Sequence, residues 1–169
     1  MRELLLVRHA KSSWNSGAPS DFERPLAKRG LRNAPAMGAW LAERRLVPDL
    51  VVTSPALRAL MTTDGLLSGM DAEGLPIEED DRIYGGGVRD LAAVLEDLAG
   101  RAQSLMLVGH NPGLDELVVW LASSPPPYAA SGKLMTTCAV AHLTPATGEP
   151  LIGPRGGRIH GIYRPREVL

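Results

Sequence analysis

Three times in 169 residues the chain writes a short, unbroken apolar run and follows it at once with residues that handle charge or protons. Leu4-Leu5-Leu6-Val7 runs into Arg8-His9, Leu50-Val51-Val52-Thr53 into Ser54-Pro55-Ala56-Leu57-Arg58, and Leu105-Met106-Leu107-Val108 into Gly109-His110. A strand with one wet face alternates apolar and polar residues, whereas a run without alternation belongs to a strand covered on both faces, as in a parallel sheet between helices. Helical spacing fills the intervals: Lys28 to Arg45 with Leu31, Ala34, Met37 and Leu41 on one face, Ala56 to Leu67, Val88 to Leu98, and Leu114 to Leu121. Pro35 inside the first of these predicts a late start or a kink. Ala10 to Ala27 reads as a long functional loop, Leu75 to Glu78 as a short strand, and Gly85-Gly86-Gly87 as a hinge or turn. Thr137 to Leu143 and Gly157 to Tyr163 read as two later strands around turn residues Pro145, Gly148, Pro150 and 153–156. The alternation predicts one α/β domain over residues 1–169, a three-layer sandwich whose central sheet is mainly parallel with an antiparallel element near its end.

Composition narrows the partners. With 18 Lys plus Arg against 19 Asp plus Glu, a net charge of −1 and a pI near 6.4, the chain lacks the broad positive field of a nucleic-acid or anionic-membrane binder. The longest apolar runs, Leu4 to Val7 and Leu117 to Ala122, fall far short of the roughly 20 residues a membrane span needs, and Arg8 interrupts the first before it could serve as a signal sequence. A cytoplasmic protein is expected. The single cysteine, Cys138, excludes an intramolecular disulfide and reads as a small buried hydrophobe in a strand.

Ligands of open α/β sheets bind beyond the carboxyl ends of the strands. Those ends carry Arg8, His9, Arg58 and His110, two guanidiniums and two imidazoles brought to one edge from positions a hundred residues apart. Guanidinium pairs bidentately with phosphate oxygens and keeps its charge, so phosphate is the ligand this set suggests. Each residue also has a plainer reading: an Arg-His surface pair, an exposed helical Arg58, a turn-capping His110.

Taken together, Leu6-Val7-Arg8-His9-Ala10, Ser54-Pro55-Ala56-Leu57-Arg58-Ala59 with Thr62 or Thr63 beyond, and Val108-Gly109-His110-Asn111 resemble the three blocks of the histidine phosphatase superfamily. The run Arg8 to Trp14, followed by Asp21 and Arg24-Pro25-Leu26, is most similar to the small SixA-type phosphohistidine phosphatases of that superfamily. The resemblance implies a phosphoglycerate mutase-like fold and a metal-independent phosphatase without cofactor. Catalytic His9 is then the nucleophile that becomes a transient phosphohistidine, with Arg8, Arg58 and His110 binding the phosphoryl oxygens. Asp81, in Asp81-Arg82-Ile83-Tyr84-Gly85, resembles the general acid of related mutases. Arg24 either lines the site or pairs with Asp21 or Glu23 to order the loop, and Trp14 either shields the site or packs. His142 and His160 match no block and read as structural. Lacking a long insertion, the pocket should be open, suited to a phosphorylated protein or a small phosphorylated substrate. The competing functions are a general phosphomonoesterase, a non-catalytic phosphate-binding module, and a metal-dependent hydrolase, although no His-x-x-x-His or Asp-x-His pair supports the last.

Overall fold

The computed structural model describes residues 1–146 and 151–169. The turn expected at Gly148 and Pro150 lies outside them. In chain order the elements are β1 (Glu3–Arg8), α1 (Lys28–Glu43), β2 (Leu50–Thr53), α2 (Leu57–Gly69), β3 (Ile77–Glu79), a 3₁₀ turn (Asp81–Ile83), α3 (Val88–Leu98), β4 (Ser104–Gly109), α4 (Gly113–Leu121), β5 (Val140–Pro145), β6 (Gly157–Tyr163) and α5 (Pro165–Val168). The strands form one sheet in the order β3-β2-β4-β1-β5-β6. The first four of that order run parallel, while β5 pairs antiparallel with β1 and β6 antiparallel with β5. This is the expected mainly parallel three-layer sandwich.

The period of two along each apolar run divides its side chains between two cores. Leu4, Leu6, Val52, Leu105 and Leu107 face Leu91, Val94 and Leu95 of α3 and Leu114, Leu117 and Leu121 of α4. Leu5, Val7, Val51, Met106 and Val108 face Ala34, Met37 and Leu41 of α1 and Ala59, Leu66 and Leu67 of α2. Both faces of β1, β2 and β4 are dry, which is why their sequence shows no polar alternation.

Pro35 neither delays nor ends α1, which runs unbroken from Lys28 to Glu43. Tertiary packing overrides the local cost: α1 and α2 approach so closely that a Cβ on Gly69 would overlap the Pro35 carbonyl, and one on Gly38 the Leu66 carbonyl. A second departure lies before β5. The strand expected from Thr137 begins at Val140, because Cys138 adopts φ 62 and turns its N–H onto the carbonyls of Arg8 at 3.0 Å and His9 at 3.2 Å. Cys138 is fully buried, as expected, but in a turn behind His9 rather than in a strand. Burial pushes its thiol up to about 12.

Candidate active site

The parallel register sets the ends of three strands side by side. Arg8 pairs with Gly109 and Thr53 with Val108, so the residues that follow, His9, Ser54 and His110, emerge at one edge of the sheet. Backbone bonds extend this alignment past the strands: His9 N–H donates to Gly109 O and Ser54 N–H to Val108 O, both at 3.0 Å. The imidazoles of His9 and His110 come within 5.0 Å, centroid to centroid.

His9 is only 8% exposed, and its Nδ1 lies 2.7 Å from the carbonyl oxygen of Ala10. A carbonyl can only accept, so Nδ1 carries hydrogen and the Nε2 lone pair is left free. The Ala10 peptide is itself pinned: its N–H donates to Thr62 Oγ1 at 2.9 Å, and Thr62 donates in turn to the carbonyl of Arg58 at 2.6 Å. One hydroxyl of α2 thus ties the histidine loop to the helix that carries Arg58. Burial, against the Ala10 hydrogen bond and together with the charges of Arg58, Arg8 and Arg24, pushes the His9 pKa down to about 4. At neutral pH its ring is uncharged.

His110 Nε2 lies 2.8 Å from Ser54 Oγ, and the same oxygen accepts the N–H of Ala56 at 3.3 Å. With the Ser54 hydroxyl donating to Nε2, the hydrogen of the neutral ring sits on Nδ1; with the opposite tautomer Nε2–H donates to Ser54. Burial, followed by the neighbouring His9 and Arg58, pushes the His110 pKa down to about 3.

Each arginine is gripped through its terminal nitrogens. Arg8 Nη1 donates to Met135 O at 2.8 Å; Met135 N–H donates to Asp115 at 3.0 Å, and Asn111 Nδ2 donates to the same Met135 carbonyl at 3.1 Å. Arg58, 5% exposed, donates through Nη1 to the Asp21 carbonyl at 2.7 Å and through Nη2 to the Asp21 carboxylate at 3.0 Å. Arg24 holds the same carboxylate at 2.9 Å, and the Tyr84 hydroxyl donates to it at 3.0 Å. Desolvation alone would raise the Asp21 pKa, but the Tyr84 hydrogen bond and the arginines outweigh it and hold the group below the usual carboxylate range. Within this framework, Arg8 Nε, Arg58 Nε, His110 Nδ1 and the Oδ1 of Asn111 are buried without a hydrogen-bond partner. A buried unpaired polar group costs about 1–3 kcal/mol, and Arg8, Arg58 and His110, which flank His9, are residue types that can cradle an oxyanion.

Arg8, His9, Arg58 and His110 thus come together. Asp81 does not join them: it is exposed at the start of the 3₁₀ turn, with no side-chain partner among the described residues, and the residue of that segment that reaches the site is Tyr84, 5.6 Å from His110 between ring centroids. Arg24 orders the loop through Asp21 and Ser12, and its charge reaches His9. Trp14 is 73% exposed and carries the Arg24 guanidinium on its face at 3.6 Å. His142 bonds Glu3 at 2.8 Å and stacks on His160, away from this edge. Roles for Ser54, Thr62, Asp21 and Tyr84 were not legible as contacts in the sequence; Ser54, Thr62 and Asp21 stand inside the family-like blocks, which is the signal that pointed toward them. Among the described residues no three His, Cys, Asp or Glu side chains cluster as metal ligands, and no helix is long and apolar enough to cross a membrane.

Comparison with known proteins gives the same picture. The family model for the histidine phosphatase superfamily (branch 1) matches residues 4–84. An uncharacterised protein of Mycobacterium tuberculosis is 35% identical over 117 residues, covering 69% of this chain and 70% of that protein. Among solved structures, a protein assigned as the phosphohistidine phosphatase SixA of Agrobacterium tumefaciens superposes with a TM-score of 0.78 at 25% identity, over 96% of this chain and 98% of its own. The histidine phosphatase SixA complexed with tungstate gives 0.79 at 24% identity, over 99% of both chains. The strand-end histidines, the paired arginines and these likenesses agree: the chain belongs to the histidine phosphatase superfamily and is SixA-like in fold.

Proposed function

We propose that the chain, acting as one domain, is a metal-independent phosphatase that hydrolyses phosphohistidine through a covalent phosphohistidine on His9. The observation that carries this reading is the free Nε2 of a buried, neutral His9 set beside Arg8, Arg58 and His110. Nε2 attacks phosphorus, the bond to the substrate's leaving nitrogen breaks, and these three residues hold the phosphoryl oxygens as charge spreads over them. Water then attacks the phosphoenzyme, giving phosphate and free His9.

The leaving group decides the substrate class. An alkoxide needs a proton as it departs, and a general acid must reach it. Asp21, the carboxylate within this cluster, is held ionised by Tyr84, Arg58 and Arg24, and Asp81 is exposed with no partner. A site with these carboxylates suits a leaving group that departs without strong acid assistance, such as an imidazole. The assignment of the Agrobacterium tumefaciens structure to a phosphohistidine phosphatase supports the same substrate.

The test is phosphate release, with EDTA present, from a phosphorylated histidine protein, an aryl phosphate and an alkyl phosphate. Wild type should release phosphate from the first two and only slowly from the third, and His9→Ala from none. Equal rates on alkyl and aryl esters would contradict the phosphohistidine assignment, and activity retained by His9→Ala would contradict the mechanism.

A further inference from the structure

Beside the phosphoryl cradle lies a cavity of about 390 Å³ that this mechanism does not use. Four separate segments wall it: Lys11 from the loop after β1, Arg29 from the first turn of α1, Lys133 from the loop before β5, and Arg166 from α5, with Arg8 shared between the cavity and the cradle. Two of the three lysines of the whole chain line it. The one acidic residue among its walls, Glu167, is committed to Arg164 at 3.1 Å, and that buried guanidinium also holds the carbonyls of Leu134 and Pro127. Lys11, Arg29, Lys133 and Arg166 have no carboxylate partner among the described residues. Four cations without a carboxylate partner, with Arg8 beside them, therefore face one cavity in a chain whose net charge is −1.

Like charges gathered in a cleft repel each other and focus a positive potential that only an anion relieves. Arg29, Lys133 and Arg166 are exposed and Lys11 half-buried, but they converge from four segments on a space of small-ligand size, where pockets run roughly 300–1,000 Å³. Arg8 is the residue that the cavity shares with the phosphoryl site. We infer that it is a second-anion subsite: the substrate carries, beyond the group that is hydrolysed, a second phosphate or carboxylate that Lys11, Arg29, Lys133 and Arg166 receive. The inference rests on the phosphatase reading, since it assigns the two anions to one molecule.

The probes are aryl phosphates bearing a non-hydrolysable phosphonate on a short or a longer alkyl tether, compared with the same compounds as neutral phosphonate diesters. Phosphohistidine peptides with flanking Asp are compared in parallel with their Asn counterparts. The doubly anionic member of at least one pair should have a kcat/KM about ten-fold higher, as charge-assisted contacts allow. In Lys133→Gln/Arg166→Gln that advantage should collapse through KM, while kcat on the neutral diester stays within about two-fold. A gain confined to the phosphonates identifies a compact polyanion, and one confined to the peptides an acidic protein segment; either supports the subsite. Equal constants within both pairs in wild type, or a double variant that keeps the full preference, overturns it. If wild type releases no phosphate from any probe, calorimetric titration separates the two claims: tighter binding of the phosphonate than of its diester, lost in the double variant, retains the subsite and removes the phosphatase reading, and equal binding removes both.

Discussion

His9 is neutral at physiological pH because it is buried among arginines, and two observables follow from that. If its lone pair attacks phosphorus, the acid limb of kcat/KM contributed by the enzyme lies near pH 4 rather than near the ordinary 6.5 of a histidine. A pH profile on an aryl phosphate, corrected for the substrate's own titration, reads it, and an enzyme limb at 6.5 would contradict the assignment. Stability has a matching sign. The His9 and His110 pKa values are lower folded than unfolded, so the unfolded chain binds protons first as pH falls below about 6.5. Their contribution is fully present above that value and drains away toward pH 4 and 3, which thermal unfolding across this window should register as a falling Tm. Asp21 acts through Arg58 and Arg24 and is a positioning residue. Asp21→Asn keeps the shape and removes the charge that aims both guanidiniums; the expected loss is about ten- to a hundred-fold in kcat/KM, with the Tm nearly unchanged and the acid limb moved little. Such contacts were invisible in the sequence because Asp21, Arg58 and Tyr84 meet only through tertiary folding, across separations of 37 and 63 residues.

At the level of elements, the strands were legible where burial on both faces wrote itself as uninterrupted apolar runs, and β2 and α3 begin and end where periodicity put them. The reading failed where backbone geometry overrode composition. Pro35 is tolerated because α2 packs its glycines against it, and the β5 start is displaced because Cys138 must turn to cap the carbonyls of Arg8 and His9. The α1–α2 contact is accordingly the place to test packing. Gly38→Ala forces a methyl into the Leu66 carbonyl, which overpacking data place at about 1–3 kcal/mol of lost stability; chemical denaturation measures it, and an unchanged midpoint would show that the helices separate freely. Because α2 carries both Thr62 and Arg58, the same variant should lower activity in proportion to any displacement of that helix.

At the scale of the whole molecule, a doubly covered parallel sheet collects residues that follow three strand ends at one edge, and this placement together with the family-like blocks made Arg8, His9, Arg58 and His110 readable as candidates. What spacing could not supply was the hydrogen-bond framework around them, or the basic cavity that shares Arg8, since Lys11, Arg29, Lys133 and Arg166 converge from segments with no shared pattern. If the arginines and His110 carry the charge of the phosphoryl group, EDTA leaves the rate unchanged, and loss of activity restored by a divalent cation would demand another mechanism. The whole scheme turns on the covalent intermediate at His9. The most direct test is to mix enzyme with excess phosphorylated substrate, quench in alkali, where phosphohistidine survives, and map the modified peptide by mass spectrometry. One phosphoryl group should accumulate on His9 before steady state and vanish in His9→Ala; an active enzyme that never labels, or one that labels elsewhere, would rule the intermediate out.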